Sequence, residues 1–269
     1  MLCLEDKMPT ELPRSGRLAA KVVAMTGATG GLGLATARLM AREGAKLALT
    51  DIDEQALDIL KTDLIAEGTE VVAVPGDATL PETHAALVNL AMERFGALHA
   101  WCNIAGILGP GDLADVTLAQ FDRVMHVNCF SQLIAMQKAA PAIRASGGGA
   151  IVNVSSVGGL VSLPHMSVYC ASKAAIIGMT RALAAELAPD IRCNVICPGG
   201  IDTGMAQGLL AGLPPEDRAD LLAKLTGRQH LKRFAHPAEI AKTILHLASD
   251  ESSFMTGSVI AADGGHTSW

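Results

Sequence analysis

What is scarce in this chain narrows its chemistry first. Only 3% of the 269 residues are aromatic, and a single tyrosine, Tyr169, stands among them. A core so poor in aromatics has to be assembled from Ala, Val, Leu and Ile, and 27 glycines permit close backbone approaches. Six cysteines are scattered at 3, 102, 129, 170, 193 and 197 without a C-x-x-C pair, and a chain of this length needs no disulfide framework. Reduced thiols in a cytoplasm are expected. Basic clusters are missing as well: the formal charge is −6, which argues against nucleic acid as a partner. No apolar run approaches the roughly 18 residues of a membrane-spanning helix. The opening "MLCLEDKMPTELPRSGRLAAK" carries acids and prolines where a signal peptide needs an unbroken apolar stretch. Neither the cysteines nor the histidines show metal-ligand spacing, so no metal is expected.

What is present alternates. Short apolar runs, "KVVAMT" (21–26), "KLALTD" (46–51), "EVVAVPGD", "LHAWCNIAG", "GAIVNVSS", "IRCNVICPGG" and "SVIAADGG", are separated by stretches of helical spacing. Two of those helices close on Gly44 and Gly68, natural terminators. Seven strands interleaved with helices predict βαβ units: a Rossmann-type, doubly wound, mostly parallel sheet covered on both faces, in one α/β domain. Residues 1–18 read as an N-terminal arm and 19–269 as the domain. The stretch 203–236, with "LPPEDR" and "TGRQHLKR", breaks the rhythm and reads as a lid-like insertion, whose Met205, Leu209, Leu210, Leu213, Leu221, Leu222 and Leu225 are available to cover a substrate.

The first strand runs into "TGATGGLG" (26–33) at the start of a helix. Glycines there let a backbone approach a pyrophosphate, and a helix N-terminus offers free N–H groups and the positive end of a dipole. The literal spacing fits Gly27, Gly31, Gly33 or Gly27, Gly30, Gly33 equally well. Asp51 follows Gly27 by 24 residues, near the spacing of a carboxylate that accepts from an adenosine ribose, whereas Asp53 precedes "EQAL" and reads as a helix N-cap.

The fifth strand delivers Ser155 and Ser156 at its C-terminal end, where open α/β sheets bind ligands. Thirteen residues beyond Ser156 comes Tyr169, and Lys173 follows one helical turn later on the same face. A phenol ionises near pH 10 and is a poor base at neutrality. A neighbouring ammonium favours the phenolate and moves it towards the working range of general acid–base catalysis.

With these stretches on the page, the sequence resembles the short-chain dehydrogenase/reductase family over roughly residues 19–265. The matching segments are "TGATGGLG", the acid at 51, "GDAT" (76–79), "NIAG" (103–106), "VN" (127–128), "VNVSS" (152–156), "YCASK" (169–173), "NVICPGGIDT" (194–203) and "GSVIAADGG" (257–265). The resemblance implies a catalytic tetrad of Asn128, Ser156, Tyr169 and Lys173, with Asn128 pinning a water that relays the proton outward. It implies cofactor contacts at Gly27, Thr29, Gly31, Leu32, Gly33, Asp51, Ile52, Asp77, Ala78, Asn103, Ala105, Gly106, Pro198, Gly199, Ile201 and Thr203, besides Tyr169 and Lys173. One departure is Ile104, where a second Asn commonly follows the one at 103.

The activity so implied is hydride transfer between a nicotinamide and an alcohol or ketone. The pocket residues expected are Ile107, Leu108, Gly158, His165, Met166 and Met205; they bring few charges inward, so an apolar secondary alcohol (alicyclic, terpenoid, steroid or aryl) or its ketone is expected. A 3-oxoacyl-thioester reductase docking on Arg228, Lys232 and Arg233 is the alternative, followed by a non-catalytic NAD(H)-binding regulator. A sugar-nucleotide epimerase or dehydratase normally carries a longer C-terminal substrate domain than this chain offers after Thr203. Asp51, Ile52 and Asp53 close the second strand without a cation for a 2′-phosphate, so NAD rather than NADP is expected. Family assembly through the helices at about 117–140 and 168–187 and the last strand leads to a homotetramer.

Overall fold

In the computed structural model, residues 16–268 are described apart from 212–217, 219–221 and 224–225, together with the side chains of Leu209 and Leu210. Most of the expected arm (1–15) and the lid residues Leu213, Leu221 and Leu225 lie outside that set. Seven strands form one sheet of order β3-β2-β1-β4-β5-β6-β7, every neighbouring pair parallel. They are β1 (Val22–Thr26), β2 (Lys46–Asp51), β3 (Val71–Pro75), β4 (Ala100–Asn103), β5 (Gly149–Val154), β6 (Ile191–Pro198) and β7 (Val259–Ala262). The predicted strands are all there, the doubly wound architecture with them.

The sheet is buried on both faces because its strands alternate between two cores. Val23 and Met25 of β1 pack with α1 (Gly31–Arg42), α2 (Glu54–Ala66) and α8 (Pro237–Ala248), whereas Val22 and Ala24 join α3 (Pro81–Phe95), α5 (Ser131–Ala145) and α6 (Ser167–Leu187). Gly44 takes φ +85 where α1 ends, a conformation that favours glycine and so sets the boundary. Asp53 caps α2 as its spacing predicts, accepting from Ala56 N–H at 3.0 Å.

The register sets the strand ends side by side. Thr26 of β1 pairs with Asn103 of β4, and Asn103 with Asn153 of β5, so the motif-bearing ends emerge along one edge. A buried polar chain holds that edge together. Trp101 Nε1 donates to Asn103 Oδ1 (2.8 Å), Asn103 Nδ2 to Asn153 Oδ1 (2.8 Å), and Asn153 Nδ2 to Thr180 Oγ1 on α6 (2.9 Å). Buried hydrogen-bonded chains of this kind are costly to break, so β4, β5 and α6 keep fixed relative positions.

One element differs from the sequence expectation. The helix expected at about 117–140 is α4 (Leu118–Met125), then a π-turn (His126–Phe130), then α5. A π-turn inserts an extra residue into the helical ladder and re-aims the side chains around it. Here it carries Asn128, which is wholly buried.

Candidate active site

The glycine turn is shaped by what a side chain would strike. Gly27 has φ +68, and a methyl there would come within 2.7 Å of the Ala105 nitrogen. At Gly33 it would lie 1.9 Å from the Gly27 carbonyl, and at Gly31 2.8 Å from Thr203 Cγ2. Gly30 is under less constraint, since its nearest atom would be 3.6 Å away. Of the two spacings the sequence left open, packing therefore singles out Gly27, Gly31 and Gly33. The same contacts draw in "NIAG" through Ala105 and the segment after β6 through Thr203. Thr26, not anticipated from the sequence, contributes by accepting from the Ile104 and Ala105 N–H groups at 3.2 and 3.3 Å.

Asp51 sits at the end of β2 and accepts from Thr29 N–H (2.9 Å) and Asp53 N–H (3.2 Å), which ties the carboxylate to the glycine turn. Leu32 is buried, while Ile52 is exposed. Asp77 turns its carboxylate onto Thr79 N–H (2.8 Å), and the Ala78 carbonyl pairs with His84 Nε2 (2.7 Å). The Asn103 amide is committed to Trp101 and Asn153 in the core, leaving its backbone at the cleft. Across the edge, Gly199 packs so closely on Asp263 that a methyl would meet its Cα at 2.9 Å, following Pro198 at the end of β6. Ile201 bridges to Ala235. A methyl-free glycine turn at a helix N-terminus, with a carboxylate one strand away, fits an extended dinucleotide.

The four residues expected to form the tetrad arrive from three elements. Ser156 follows β5, and its Oγ accepts from Gly158 N–H at 3.1 Å. Gly158 lies against Tyr169, since a methyl there would meet the ring Cε1 at 3.4 Å. Lys173 Nζ stands 5.7 Å from the Tyr169 ring centroid and donates to the Val154 carbonyl at 3.1 Å. Asn128 Oδ1 accepts from Ile107 N–H (2.8 Å), and its Nδ2 donates to the Ile107 carbonyl (2.9 Å) and to Ser172 Oγ (3.0 Å). A methyl on Gly106 would meet Asn128 Oδ1 at 3.1 Å and Lys173 Nζ at 3.4 Å, so both polar atoms border the same side of Gly106. Ser155, the neighbour of Ser156 at the strand end, donates to the Lys173 carbonyl at 2.7 Å.

Electrostatics corrects one expectation. Burial pushes the Tyr169 phenol above its ordinary value, with the Ser156 hydroxyl pulling it back and Cys170 adding to the rise. Burial also holds the Lys173 ammonium down to about 8, against smaller opposing pulls from Cys197 and Cys129. Without a cofactor, desolvation therefore sets the direction of the phenol's shift, while Lys173 Nζ is itself buried and turned to a backbone carbonyl. Buried Cys102 and Cys193 thiols are pushed up to about 12, which leaves them unreactive.

The expected substrate residues are carried by several elements. Ile107 and Leu108 line a cleft of about 480 Å³ between the loop after β4 and α4, with Gln120 and Arg123 on its far wall. His165, at φ +60, pairs with Asp112 of that loop, and its carbonyl accepts from Gly111 N–H at 2.9 Å. Met166 precedes the first turn of α6, and Met205 stands exposed on α7 (Gly204–Ala211).

Comparison with known proteins agrees with this arrangement. Residues 27–267 match the family model described as enoyl-(acyl carrier protein) reductase. The chain is 38% identical to 2-(S)-hydroxypropyl-CoM dehydrogenase 3 of Xanthobacter autotrophicus, covering 94% of this chain and 99% of that protein. It is also 38% identical to cis-4-hydroxycyclohexanecarboxylate dehydrogenase of Sinomonas cyclohexanicum, over 93% of this chain and 97% of the relative. The crystal structure of levodione reductase superimposes with a TM-score of 0.88 at 34% identity, covering 93% and 99% of the two chains. The chain belongs to the short-chain dehydrogenase/reductase family of oxidoreductases.

Proposed function

We propose that this protein interconverts apolar secondary alcohols, alicyclic ones foremost, and their ketones with NAD(H). The observation that carries the reading is the grouping of Ser156, Tyr169 and Lys173: Gly158 N–H donates to the serine hydroxyl, a methyl on Gly158 would contact the tyrosine ring, and Lys173 Nζ is 5.7 Å from that ring. When bound, NAD supplies the acceptor for the hydride that leaves the carbinol carbon. Gly27, Gly31, Gly33, Asp51, Gly106 and Thr203 are the residues that would hold it. Ser156 holds the substrate oxygen by a hydrogen bond, and Tyr169 takes the hydroxyl proton in oxidation or returns it in reduction. Lys173 carries the positive charge that favours the phenolate, and Asn128 anchors the outward path of the proton.

Asp51 supports NAD over NADP. A carboxylate can accept from ribose hydroxyls but repels a 2′-phosphate; like charges about 4 Å apart at an effective dielectric near 20 cost roughly 4 kcal/mol. For the substrate class, the cleft walls Ile107 and Leu108 are apolar, and two of the proteins compared above are named for six-membered-ring substrates. The thioester alternative loses part of its docking patch, because Arg233 is engaged by Glu239 at 2.7 and 2.8 Å and Lys232 by the Gly227 carbonyl. Assembly as a cytoplasmic homotetramer accords with exposed Leu118, Phe121 and Phe130 along α4 and the π-turn; light scattering at the mass of a single chain would exclude it.

Steady-state kinetics with NAD and a panel of cyclohexanols, terpenoid, steroid and aryl alcohols, against 3-oxoacyl thioesters with NADH, tests the reading. Higher kcat/KM for an alicyclic alcohol or ketone supports it, and preference for the thioester overturns it.

A further inference from the structure

We propose that Ser172 is a positioning residue whose hydroxyl fixes the Asn128 amide so that Oδ1, and not Nδ2, faces Lys173. The proposal rests on the reading that Asn128 and Lys173 serve the reaction. Ser172 sits between Tyr169 and Lys173 in "YCASK", on α6, and is wholly buried, as is Asn128.

The assignment follows from counting protons. A serine hydroxyl has one proton to donate. That of Ser172 goes to the Tyr169 carbonyl at 2.7 Å, a group able only to accept. Towards Asn128 the hydroxyl is therefore an acceptor, and the atom facing it at 3.0 Å has to be Nδ2. The second Nδ2 proton is taken by the Ile107 carbonyl at 2.9 Å, and Oδ1 accepts from Ile107 N–H at 2.8 Å. Three partners on two elements thus demand one orientation. What remains free is the second lone pair of Oδ1, on the side of Gly106 that Lys173 Nζ also borders: a methyl on Gly106 would meet Oδ1 at 3.1 Å and Nζ at 3.4 Å.

An inverted amide would turn N–H donors towards an ammonium and a carbonyl oxygen towards a hydroxyl whose proton is already spent. Both arrangements are repulsive. Ile107 alone could hold the amide, but only with one Nδ2 proton buried and unpartnered, which burial penalises. Ser172 removes that defect while linking the π-turn to the backbone of the residue that carries the phenol. The device is local: it passes through Asn128 and touches neither substrate nor cofactor.

Three variants test it: Ser172→Ala, Asn128→Ala and the double variant, each assayed with NAD and the best alcohol. Alongside, hydrogen exchange of the Asn128 side-chain amide is followed by NMR in the cofactor-free protein, with Asn128→Ala assigning the resonance. Ser172→Ala should lower kcat about tenfold, equivalent to about 1.4 kcal/mol. Both KM values should stay within about twofold, since an interaction felt in the transition state and not in binding is lost. The amide protons should exchange about tenfold faster or more once their partner is gone. In the Asn128→Ala background, adding Ser172→Ala should change kcat less than about twofold, because the two act as a unit.

Equal losses in both backgrounds would overturn the proposal, as would an impaired Asn128→Ala beside an unimpaired Ser172→Ala. An unimpaired Asn128→Ala overturns the underlying reading of Asn128, and the proposal with it. If Ser172→Ala does not fold, Ser172→Cys keeps nearly the same volume with a weaker donor and acceptor. It should show the same dependence on Asn128 with a loss of about threefold, and a loss that is independent of Asn128 rejects the proposal.

Discussion

On the chemical side of the cleft, Asn128, Ser156, Ser172 and Lys173 are 0%, 9%, 0% and 5% exposed, and each side chain has a hydrogen-bond partner in the loop after β4, in β5 or the turn that follows it, or in α6. On the side proposed to receive the substrate, the side chains of His165 and Asp112 are 70% and 64% exposed, and Met205 also faces solvent. The two sides share a backbone framework, yet one is immobilised by burial and the other is held by surface contacts. Placement of a proton within tenths of an ångström needs the first kind of construction. Recognition of one alcohol among many is compatible with the second, in which loops can change without disturbing the chemistry.

Removing the phenol strikes the buried side at its centre and carries the largest expected effect. Tyr169→Phe should lower kcat by about 10² to 10⁴ while leaving NADH affinity nearly unchanged. Retention of more than about a tenth of the activity would mean that this residue is not the general acid–base. Next in size is the cofactor preference. Asp51→Ala should erase an NAD-over-NADP discrimination of more than about tenfold in kcat/KM; comparable values for the two cofactors in the unmodified enzyme would show that Asp51 does not face the ribose.

A third experiment asks what the buried side costs in stability. The Lys173 pKa is near 8 in the fold against an ordinary 10.5, so the charged form is disfavoured when folded. Between those values the unfolded chain binds more protons, and stability rises with pH. The penalty is therefore full below pH 8 and relieved as pH climbs towards 10.5. Lys173→Met, which also loses the bond to Val154, should gain about 2 kcal/mol without cofactor at pH 7, or roughly 5 °C in Tm. The gain should shrink above pH 8, and the variant should be inactive. A lower Tm at pH 7 would show that the lysine is structural as well as catalytic. The smallest effect belongs to the exposed side: Asp112→Asn should change KM for the alcohol about threefold and leave KM for NAD alone, as expected of a solvent-exposed polar contact. A loss of kcat as large as that of Tyr169→Phe would erase the distinction between the two sides.

Strands, helix stops and the Ser156–Tyr169–Lys173 group were legible because each has a local signature: apolar runs ending in glycine, a cap acid before "EQAL", a fixed spacing along one helix face. Other features had none. Residues 118–145 show helical spacing throughout, and a π-turn inside such a pattern leaves no mark in composition. The spacing of "NIAG" is the same whether the Asn103 amide turns to the cleft or to Trp101, so its commitment to the core could not be read. Ser172 was visible as a letter in "YCASK", but its use depends on a side chain 44 positions upstream. The raised phenol pKa depends on burial, which no motif encodes.

That last point leads to the most direct measurement. Because Tyr169 is the only tyrosine in the chain and the indoles do not ionise, the near-ultraviolet phenolate absorbance of the native protein reports this one group. In cofactor-free protein the midpoint should lie above the ordinary value of about 10, and saturating NAD should bring it down by a pH unit or more as positive charge is added beside the phenol. Tyr169→Phe should abolish the signal. A midpoint that NAD leaves unchanged would contradict the assignment of Tyr169 as the group that exchanges a proton with the substrate.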